Sequence, residues 1–302
     1  MNVYNYSGNF KVDKSDNGFS EGIKTCKIVK RHLKKFLDAV KSVPKDYYIY
    51  EIKENTIESP PNTPTTVDKH GLFSHVERVF AYELYHRWSC RLFGNKEGWV
   101  INGEVGKYLK WFYNNGYNDN GKQKYPDLVL HKGQSMRNPS KNVDHMFVCE
   151  IKRKDKVSSG IIEDLIKLCR FTCQSVESKS GKDGRFFEPY NCGIYLIIND
   201  DKSESQEFQN NGNDDGLSDI IVNNLISSNP FIKLIPTSIN EEAKKILCVY
   251  SHWDSDGKYS LSYQSLFNIL SSNKNFSNIF RKNVVEGGNI IRTENVDADN
   301  MM

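Results

Sequence analysis

The stretches PDLVLHK (residues 126–132) and HMFVCEIK (145–152) decide the fold of this chain. Each is a short apolar run of the length and composition typical of a β-strand. The segment between them, GQSMRNPSKNVD (133–144), is polar and contains Pro139, which predicts a loop. We therefore expect two neighbouring strands that pair through their connecting loop.

Side-chain alternation along these strands brings chemically active residues together. Because successive side chains of a strand point to opposite faces, Glu150 and Lys152 share a face and Ile151 turns into the core. If the two strands pair, Asp127 lies beside Glu150. Two carboxylates and an ammonium then converge at one edge of a sheet.

The residues that follow predict a parallel crossover. Residues 159–177 carry an apolar face at helical spacing, and GIYLIIND (193–200) is a nearly all-apolar strand of the kind that is buried on both sides. Strand 145–152, this helix and strand 193–200 therefore form a βαβ unit, for which a right-handed crossover is expected. The fold class indicated is α/β, with a mixed sheet flanked by helices.

Clustered carboxylates have a cost that a metal ion relieves. Two neighbouring carboxylates repel each other and raise one pKa, and a divalent cation removes that repulsion. Mg²⁺ favours a few carboxylate oxygens completed by water and phosphate oxygens. Such an ion activates a bound water and polarises a phosphodiester. A lysine beside it orients or deprotonates the water, or offsets negative charge on the phosphorus.

Pro126-Asp127 followed by Glu150-Ile151-Lys152 resembles the PD-(D/E)xK motif of the restriction-endonuclease-like nucleases. The resemblance covers roughly residues 72–200. It implies a restriction-endonuclease-like core and hydrolysis of nucleic-acid phosphodiesters with Mg²⁺, with Mn²⁺ as a substitute. It also implies that Asp127 and Glu150 bind the metal together with the backbone carbonyl of Ile151, and that Lys152 is the catalytic lysine.

Members of that family often add an acidic residue from a preceding helix, here predicted over about 72–93. Glu77 lies in the middle of the apolar stripe of this helix, where an idle carboxylate is costly, so we predict that it faces the site. An ion pair with an arginine, or a protonated carboxyl, is the structural alternative. Glu83 lies off the stripe, and Glu104 is a weaker substitute.

Lysines that follow the motif are candidates for contact with the substrate phosphates. Lys154 comes directly after the strand, and Lys167 lies on the next helix with Glu163 and Asp164. A solvated helix face is the alternative for Lys167 and is favoured for Glu163. Gln174 has no tyrosine four residues later, which argues against the RecB-like exonuclease branch of the family.

The chain as a whole is predicted to divide into four segments, and the motif lies in the second. Residues 1–70 are predicted to be a loose N-terminal arm, a helix over about 21–43, a strand at 47–53 and a Pro-rich linker. Residues 71–200 are the nuclease core. Residues 201–216 are acidic, low in complexity and predicted to be disordered. Residues 217–302 are predicted to be an α/β extension with strands near 231–236 and 246–252 and helices near 217–227 and 262–270.

The helix over 21–43 is basic. Between residues 21 and 41 there are seven Lys or Arg against Glu21 and Asp38, a local net charge of 7 − 2 = +5. A solvated face is slightly favoured over a face that contacts phosphates.

Composition narrows the class of protein. The chain has 302 residues, 38% of them hydrophobic, and a net charge of +3, which excludes a wholly disordered chain and a histone-like basic protein. The start of the chain lacks an apolar signal segment, and no apolar run reaches the length of a membrane span. Seven scattered cysteines without a CxxC pair favour neither disulfides nor zinc, so cytoplasmic residence with reduced thiols is expected.

The leading hypothesis is a DNA endonuclease of restriction or phage-defence type. A nuclease of the same fold that acts on RNA or on branched or damaged DNA is the first alternative, because the metal chemistry is shared. A nucleic-acid-binding module with an inactive site and a structural protein with surface ion pairs are the others. Nucleic acid is the expected partner, a membrane is not, and homodimerisation stays open.

Overall fold

The computed structural model describes residues 3–48, 69–94, 96–103, 107–109, 125–132, 145–153, 161–173, 176–178, 186–187, 189–199, 242–253 and 257–272. The acidic segment 201–216, the elements predicted near 217–227 and 231–236, and the tail all lie outside these ranges. So does most of the strand predicted at 47–53.

A mixed seven-stranded sheet organises the described chain, which makes the protein α/β. Its strands run in the order β1-β10-β9-β8-β5-β4-β2. Their bounds are β1 Tyr4–Asn5, β2 Trp99–Gly103, β4 Leu128–Lys132, β5 His145–Arg153, β8 Cys192–Asn199, β9 Ile246–Trp253 and β10 Tyr259–Ser265. A separate three-stranded sheet joins β3 (Lys107–Leu109), β6 (Val176–Ser178) and β7 (Phe186–Phe187).

Pairing at the centre of the large sheet agrees with the sequence. Strands β4 and β5 pair antiparallel, with Leu128 opposite Cys149, which confirms the predicted hairpin. Strands β5 and β8 pair parallel, with Glu150 opposite Tyr195, as expected for two strands joined by a crossover. Strand β9 continues the parallel set beside β8, and the remaining neighbours are antiparallel.

Helices cover both faces of this sheet. They are α1 (Glu21–Thr25), α2 (Lys27–Lys41), α3 (Lys69–Leu92), α4 (Ile161–Cys173) and α5 (Leu266–Ser272), with a short 3₁₀ turn at Lys45–Tyr47. The single helix predicted over 21–43 is divided at Cys26, whose backbone is extended. The helix predicted over 72–93 is confirmed as α3.

One sheet face packs against α2 and α3 in the main hydrophobic core. Trp88 of α3 is fully buried and stacks on Phe147 of β5 at a centroid distance of 6.3 Å, with Phe36 of α2 edge-on to the same indole at 5.0 Å. Phe80 and Leu84 belong to the same buried stripe of α3. Burial of each such side chain contributes about 1.5–3 kcal/mol.

The other sheet face packs against α4. Gly193 on β8 is the point of close approach, because an added Cβ would lie 2.5 Å from Ile246 Cδ1 and 3.4 Å from both Leu168 and Thr172. A methyl group at this position would therefore overlap the end of the Ile246 side chain of β9 and touch α4. Glycine here leaves room for the Ile246 side chain beneath α4.

The prediction of a loose arm for residues 1–20 is wrong for residues 3–20, the part that the structure describes. Tyr4 and Asn5 form β1 at the sheet edge, and Tyr4 stacks on Tyr263 at 5.6 Å. The Tyr263 hydroxyl donates to the Lys11 carbonyl at 2.7 Å, and Phe10 and other apolar side chains of this segment are buried. The aromatic residues of this segment do not recur at a regular spacing, so the sequence does not predict a helix or a strand here. Several of them are nevertheless buried in the hydrophobic core.

Two further predicted elements differ from the structure. Tyr47 belongs to the 3₁₀ turn and not to a strand, because Pro44 sets a tight turn after α2. The helix predicted near 262–270 is strand β10 as far as Ser265 and helix only from Leu266. Pairing with β9 outweighs the helical spacing of its apolar residues.

Within the described residues, no helix is both long and apolar enough to cross a membrane. The six cysteines whose side chains are described form no disulfide with one another.

Candidate active site

The site lies where β5 extends beyond the first residue of its neighbour β4. Because β4 starts at Leu128, opposite Cys149, it leaves the amides of Ile151 and Arg153 without a strand partner on that side. Two carboxylates take these amides instead. Ile151 N donates to Asp127 Oδ2 at 2.6 Å, and Arg153 N donates to Glu77 Oε1 at 2.9 Å. Asp127 and Glu77 thus lie along one edge of β5.

Glu77 reaches this edge because of its place on α3. It continues the stripe of Phe80, Leu84 and Trp88, which are all fully buried against the sheet. One turn before Phe80, this stripe of α3 meets the end of β5. A carboxylate within an apolar stripe is costly when it has no partner, but Glu77 accepts a hydrogen bond from the Arg153 amide there.

Glu150 lies on the α4 face of β5 and is held by Lys167. Lys167 Nζ is 2.7 Å from Glu150 Oε2, and the Glu150 side chain is only 4% exposed. The second carboxylate oxygen, Oε1, is buried and has no hydrogen-bond partner. One oxygen of this carboxylate is therefore fixed by a lysine, while the other keeps its lone pairs for a further ligand.

Asp164 of α4 links the two lysines of the site. Its Oδ2 is 3.3 Å from Lys152 Nζ, and its Oδ1 is 3.4 Å from Lys167 Nζ. All three side chains are between 14% and 20% exposed. The pairs are shielded from bulk water, so their electrostatic interactions are stronger than those of surface ion pairs.

The carboxylate cluster, defined as Glu77, Asp127, Glu150 and Asp164, outnumbers the two lysines. With every group ionised the formal charge is −4 + 2 = −2. Burial raises the pKa of Asp127 to about 6, and Asp164 and Glu77 add to the rise. Burial and the Asp127 charge raise the pKa of Glu150 well above its usual range. The excess negative charge favours a proton or a cation at this place.

Lys152 remains charged. Burial acts to lower its pKa, but the carboxylates of Asp164 and Glu77 outweigh burial and raise it. Lys167 behaves in the same way: burial opposes the charge, and Glu150 and Asp164 together raise its pKa. Both side chains are therefore ammonium groups at neutral pH.

The donor set fits Mg²⁺. Among the described residues, no group of three His, Cys, Asp or Glu side chains is placed to hold a metal ion. Mg²⁺ does not require three, because one or two carboxylates with water and phosphate oxygens suffice. Asp127 and the unpartnered oxygen of Glu150 provide two. The Ile151 carbonyl faces the same side of β5 as its amide, towards Asp127, since both groups of a strand residue point to one neighbour.

The structure thus brings together Glu77, Asp127, Glu150, Lys152 and Lys167 around the backbone of Ile151. Lys154, Glu104 and Gln174 lie outside the described residues, as does the side chain of Glu163. Glu83 is engaged elsewhere on α3, where Arg87 Nε lies 2.5 Å from its carboxylate.

The sequence alone assigns no role to two neighbours of the site. Asp164 looks like an ordinary polar helix residue, although its i, i+3 spacing to Lys167 allows both to face β5. Tyr195 belongs to a segment whose sequence predicts an apolar buried strand. Parallel pairing places it opposite Glu150, a relationship that sequence spacing alone does not reveal.

Comparison of the chain with family models, with curated proteins and with solved structures finds no match.

Proposed function

We propose that this protein is a Mg²⁺-dependent nuclease with a restriction-endonuclease-like core that hydrolyses DNA phosphodiester bonds, as an endonuclease of restriction or phage-defence type. The observation that carries the proposal is the meeting of Asp127, Glu150 and Lys152 at the end of β5, with a surplus of negative charge. The antiparallel pair β4–β5, the parallel pair β5–β8 and the helices on both faces support it.

Asp127, Glu150 and the Ile151 carbonyl would hold the metal. Mg²⁺ bound there would supply an activated water and a positive charge against the phosphate oxygens. The hydrogen bond from the Ile151 amide fixes Asp127, and the Lys167 ammonium fixes Glu150. The two carboxylates are thereby oriented before the cation binds, which lowers the cost of forming the site.

Lys152 serves the reacting phosphate in this proposal. Its raised pKa favours an ammonium that offsets charge on the phosphorus over a free amine that removes a proton. Asp164 holds that ammonium in place at 3.3 Å. Glu77, on the edge of β5 beside Asp127, adds negative charge and completes the acidic side of the site.

For Lys167 we propose a role other than the one predicted from sequence. Its ammonium is bound by Glu150 and Asp164, so we propose that it positions a carboxylate and not a substrate phosphate. Contact with the nucleic-acid backbone by Lys154 stays a prediction.

A structural role for the cluster is the competing candidate. Both lysines are matched to carboxylates, as they would be in a buried ion network that only supports the fold. Breaking such a network is strongly destabilising, whereas neutral replacement of both partners is often tolerated. In an active nuclease, Lys152→Ala and Asp127→Ala abolish turnover while the chain stays folded.

The test is an assay of purified protein on supercoiled plasmid, linear duplex, single-stranded DNA and RNA, each with Mg²⁺, Mn²⁺ or EDTA. Metal-dependent cutting that Lys152→Ala and Asp127→Ala remove, with their folding intact, supports the proposal. Cutting of RNA alone moves the substrate to the alternative within the same fold. Absence of both cutting and Mg²⁺ binding contradicts the catalytic proposal.

A further inference from the structure

Tyr195 lies next to the proposed metal site and has no role in the mechanism so far. It pairs in parallel register with Glu150, on the strand beside β5. Paired residues of neighbouring strands project from the same face, which here is the face that carries α4. The tyrosine side chain is fully buried.

The Tyr195 side chain lies on the same sheet face as Glu150, and its hydroxyl makes no hydrogen bond among the described residues. Burial raises its pKa well above 10, and the carboxylates of Asp164, Glu77 and Glu150 add to that rise, so the group stays a hydrogen-bond donor. The buried hydroxyl oxygen has no hydrogen-bond partner, and the same holds for the neighbouring Glu150 Oε1. An unpartnered donor and an unpartnered acceptor thus occur on register neighbours.

Such a pair is costly without a use. Leaving a buried polar group unsatisfied costs about 1–3 kcal/mol, and phenylalanine would fill nearly the same volume without that cost. A donor beside clustered carboxylates is useful when oxygens need to be oriented around a cation, because the groups that bond to metal ligands tune affinity.

We infer that the Tyr195 hydroxyl donates a hydrogen bond to the oxygen shell of the cation bound by Asp127 and Glu150, and that Tyr195 is a positioning residue of this site. The inference rests on the proposed function, since it requires a divalent cation at the cluster. It assigns Tyr195 no contact with the scissile phosphate, because its hydroxyl is buried.

The test is calorimetric titration of Mg²⁺ alone into metal-free protein, with urea unfolding of the same samples. The variants are Tyr195→Phe, Asp127→Asn and, as a matched control, Tyr190→Phe. Tyr190 is also buried, but it packs on His145 at the opposite end of β5, with ring centroids 4.9 Å apart. It keeps the tyrosine-to-phenylalanine change constant and moves it away from the cluster.

We expect Tyr195→Phe to weaken Mg²⁺ binding about tenfold, the effect of one hydrogen bond. The metal-free variant should be as stable as the parent or more stable, because the hydroxyl has no partner in that state. A residue that only fills space would not combine weaker Mg²⁺ binding with unchanged stability. Tyr190→Phe should bind Mg²⁺ like the parent.

The outcomes separate this inference from the proposed function. If the parent binds no Mg²⁺, the role of Tyr195 is overturned, and the proposed function is overturned with it if the parent also cuts no substrate. If the parent binds Mg²⁺ in a manner that depends on Asp127, and Tyr195→Phe binds it equally well, only the role of Tyr195 is overturned. A Tyr195→Phe variant that is markedly less stable without metal also overturns it, because the hydroxyl then serves the fold.

Discussion

Lys167 Nζ lies 2.7 Å from Glu150 Oε2 and neutralises a carboxylate that is almost completely buried. Lys167→Met removes the ammonium that pairs with Glu150. The buried Glu150 carboxylate must then either bind a proton or remain charged without a counter-ion and with little contact with water. We expect a loss of about 2–4 kcal/mol in the free energy of unfolding, measured with urea. Lys34→Met is the control, because Lys34 pairs with Asp38 on the surface, where such pairs contribute about 0–1 kcal/mol. Equal effects of the two variants would contradict the buried-pair account.

Asp127→Asn should separate metal binding from folding. The asparagine oxygen can still accept the Ile151 amide, and the variant removes a carboxylate whose pKa is raised to about 6. The metal-free variant should therefore be at least as stable as the parent at pH 7.5. The parent should gain about 3 kcal/mol at a Mg²⁺ concentration a hundred times its Kd, and the variant should gain far less. Thermal unfolding with and without Mg²⁺ measures both, and an equal gain in the two proteins would exclude Asp127 as a ligand.

Glu77→Gln tests whether α3 contributes to the chemistry. Glu77 binds the Arg153 amide at the edge of β5, whereas Glu83 on the same helix binds Arg87. We expect Glu77→Gln to lower the cleavage rate by about a hundredfold, the scale reported for one electrostatic group of an active site. Glu83→Gln should stay within about twofold. Loss of activity in both variants together with loss of helix content would instead indicate damage to α3.

Gly193→Ala tests the packing of Ile246 of β9 against β8. The new methyl would meet Ile246 Cδ1 at 2.5 Å, and overpacking of this kind costs about 1–3 kcal/mol. Ile246→Val removes that terminal carbon, so the double variant should recover much of the loss. Urea unfolding of the single and double variants measures the coupling. Additive destabilisation would show that the clash is not with Ile246.

His32 predicts how stability depends on pH. It is 1% exposed, and burial, with Arg31 and Lys35 nearby, lowers its pKa from 6.5 to about 4. The unfolded chain binds a proton at His32 near pH 6.5, whereas the folded chain binds it only near pH 4. The favourable contribution of neutral His32 to the free energy of unfolding is therefore complete above pH 6.5. It is lost as pH falls to about 4, by about 3 kcal/mol. His32→Leu should flatten this part of the pH profile of unfolding, and His86→Leu, at a side chain 69% exposed, should not. A His32→Leu profile that matches the parent would refute this assignment.

The parts of the site that sequence reveals are those with local signals. Strands β4 and β5 have apolar runs on either side of a polar loop, and alternation along β5 fixes the shared face of Glu150 and Lys152. Glu77 is marked by its place in an apolar stripe. These signals lie within one element or between two adjacent ones, where spacing determines geometry.

The rest depends on contacts between distant segments. Tyr195 comes beside Glu150 only through parallel pairing, and Tyr263 binds Lys11 across 252 residues. No spacing in the chain encodes either contact. The N-terminal segment likewise looks polar and irregular in sequence, because its aromatic residues are buried only by packing against distant parts of the chain. The apolar residues near 262–270 recur at helical spacing, but pairing with β9 makes this segment a strand as far as Ser265.

The most direct test of the central claim is the rate at which the protein cuts supercoiled plasmid in Mg²⁺, compared between the parent and Lys152→Ala at matched folded concentration. We predict that the parent nicks or linearises the circle, that EDTA stops it, and that the variant is at least a hundredfold slower. Equal cutting by the parent and the variant would contradict the assignment of the active site to the end of β5.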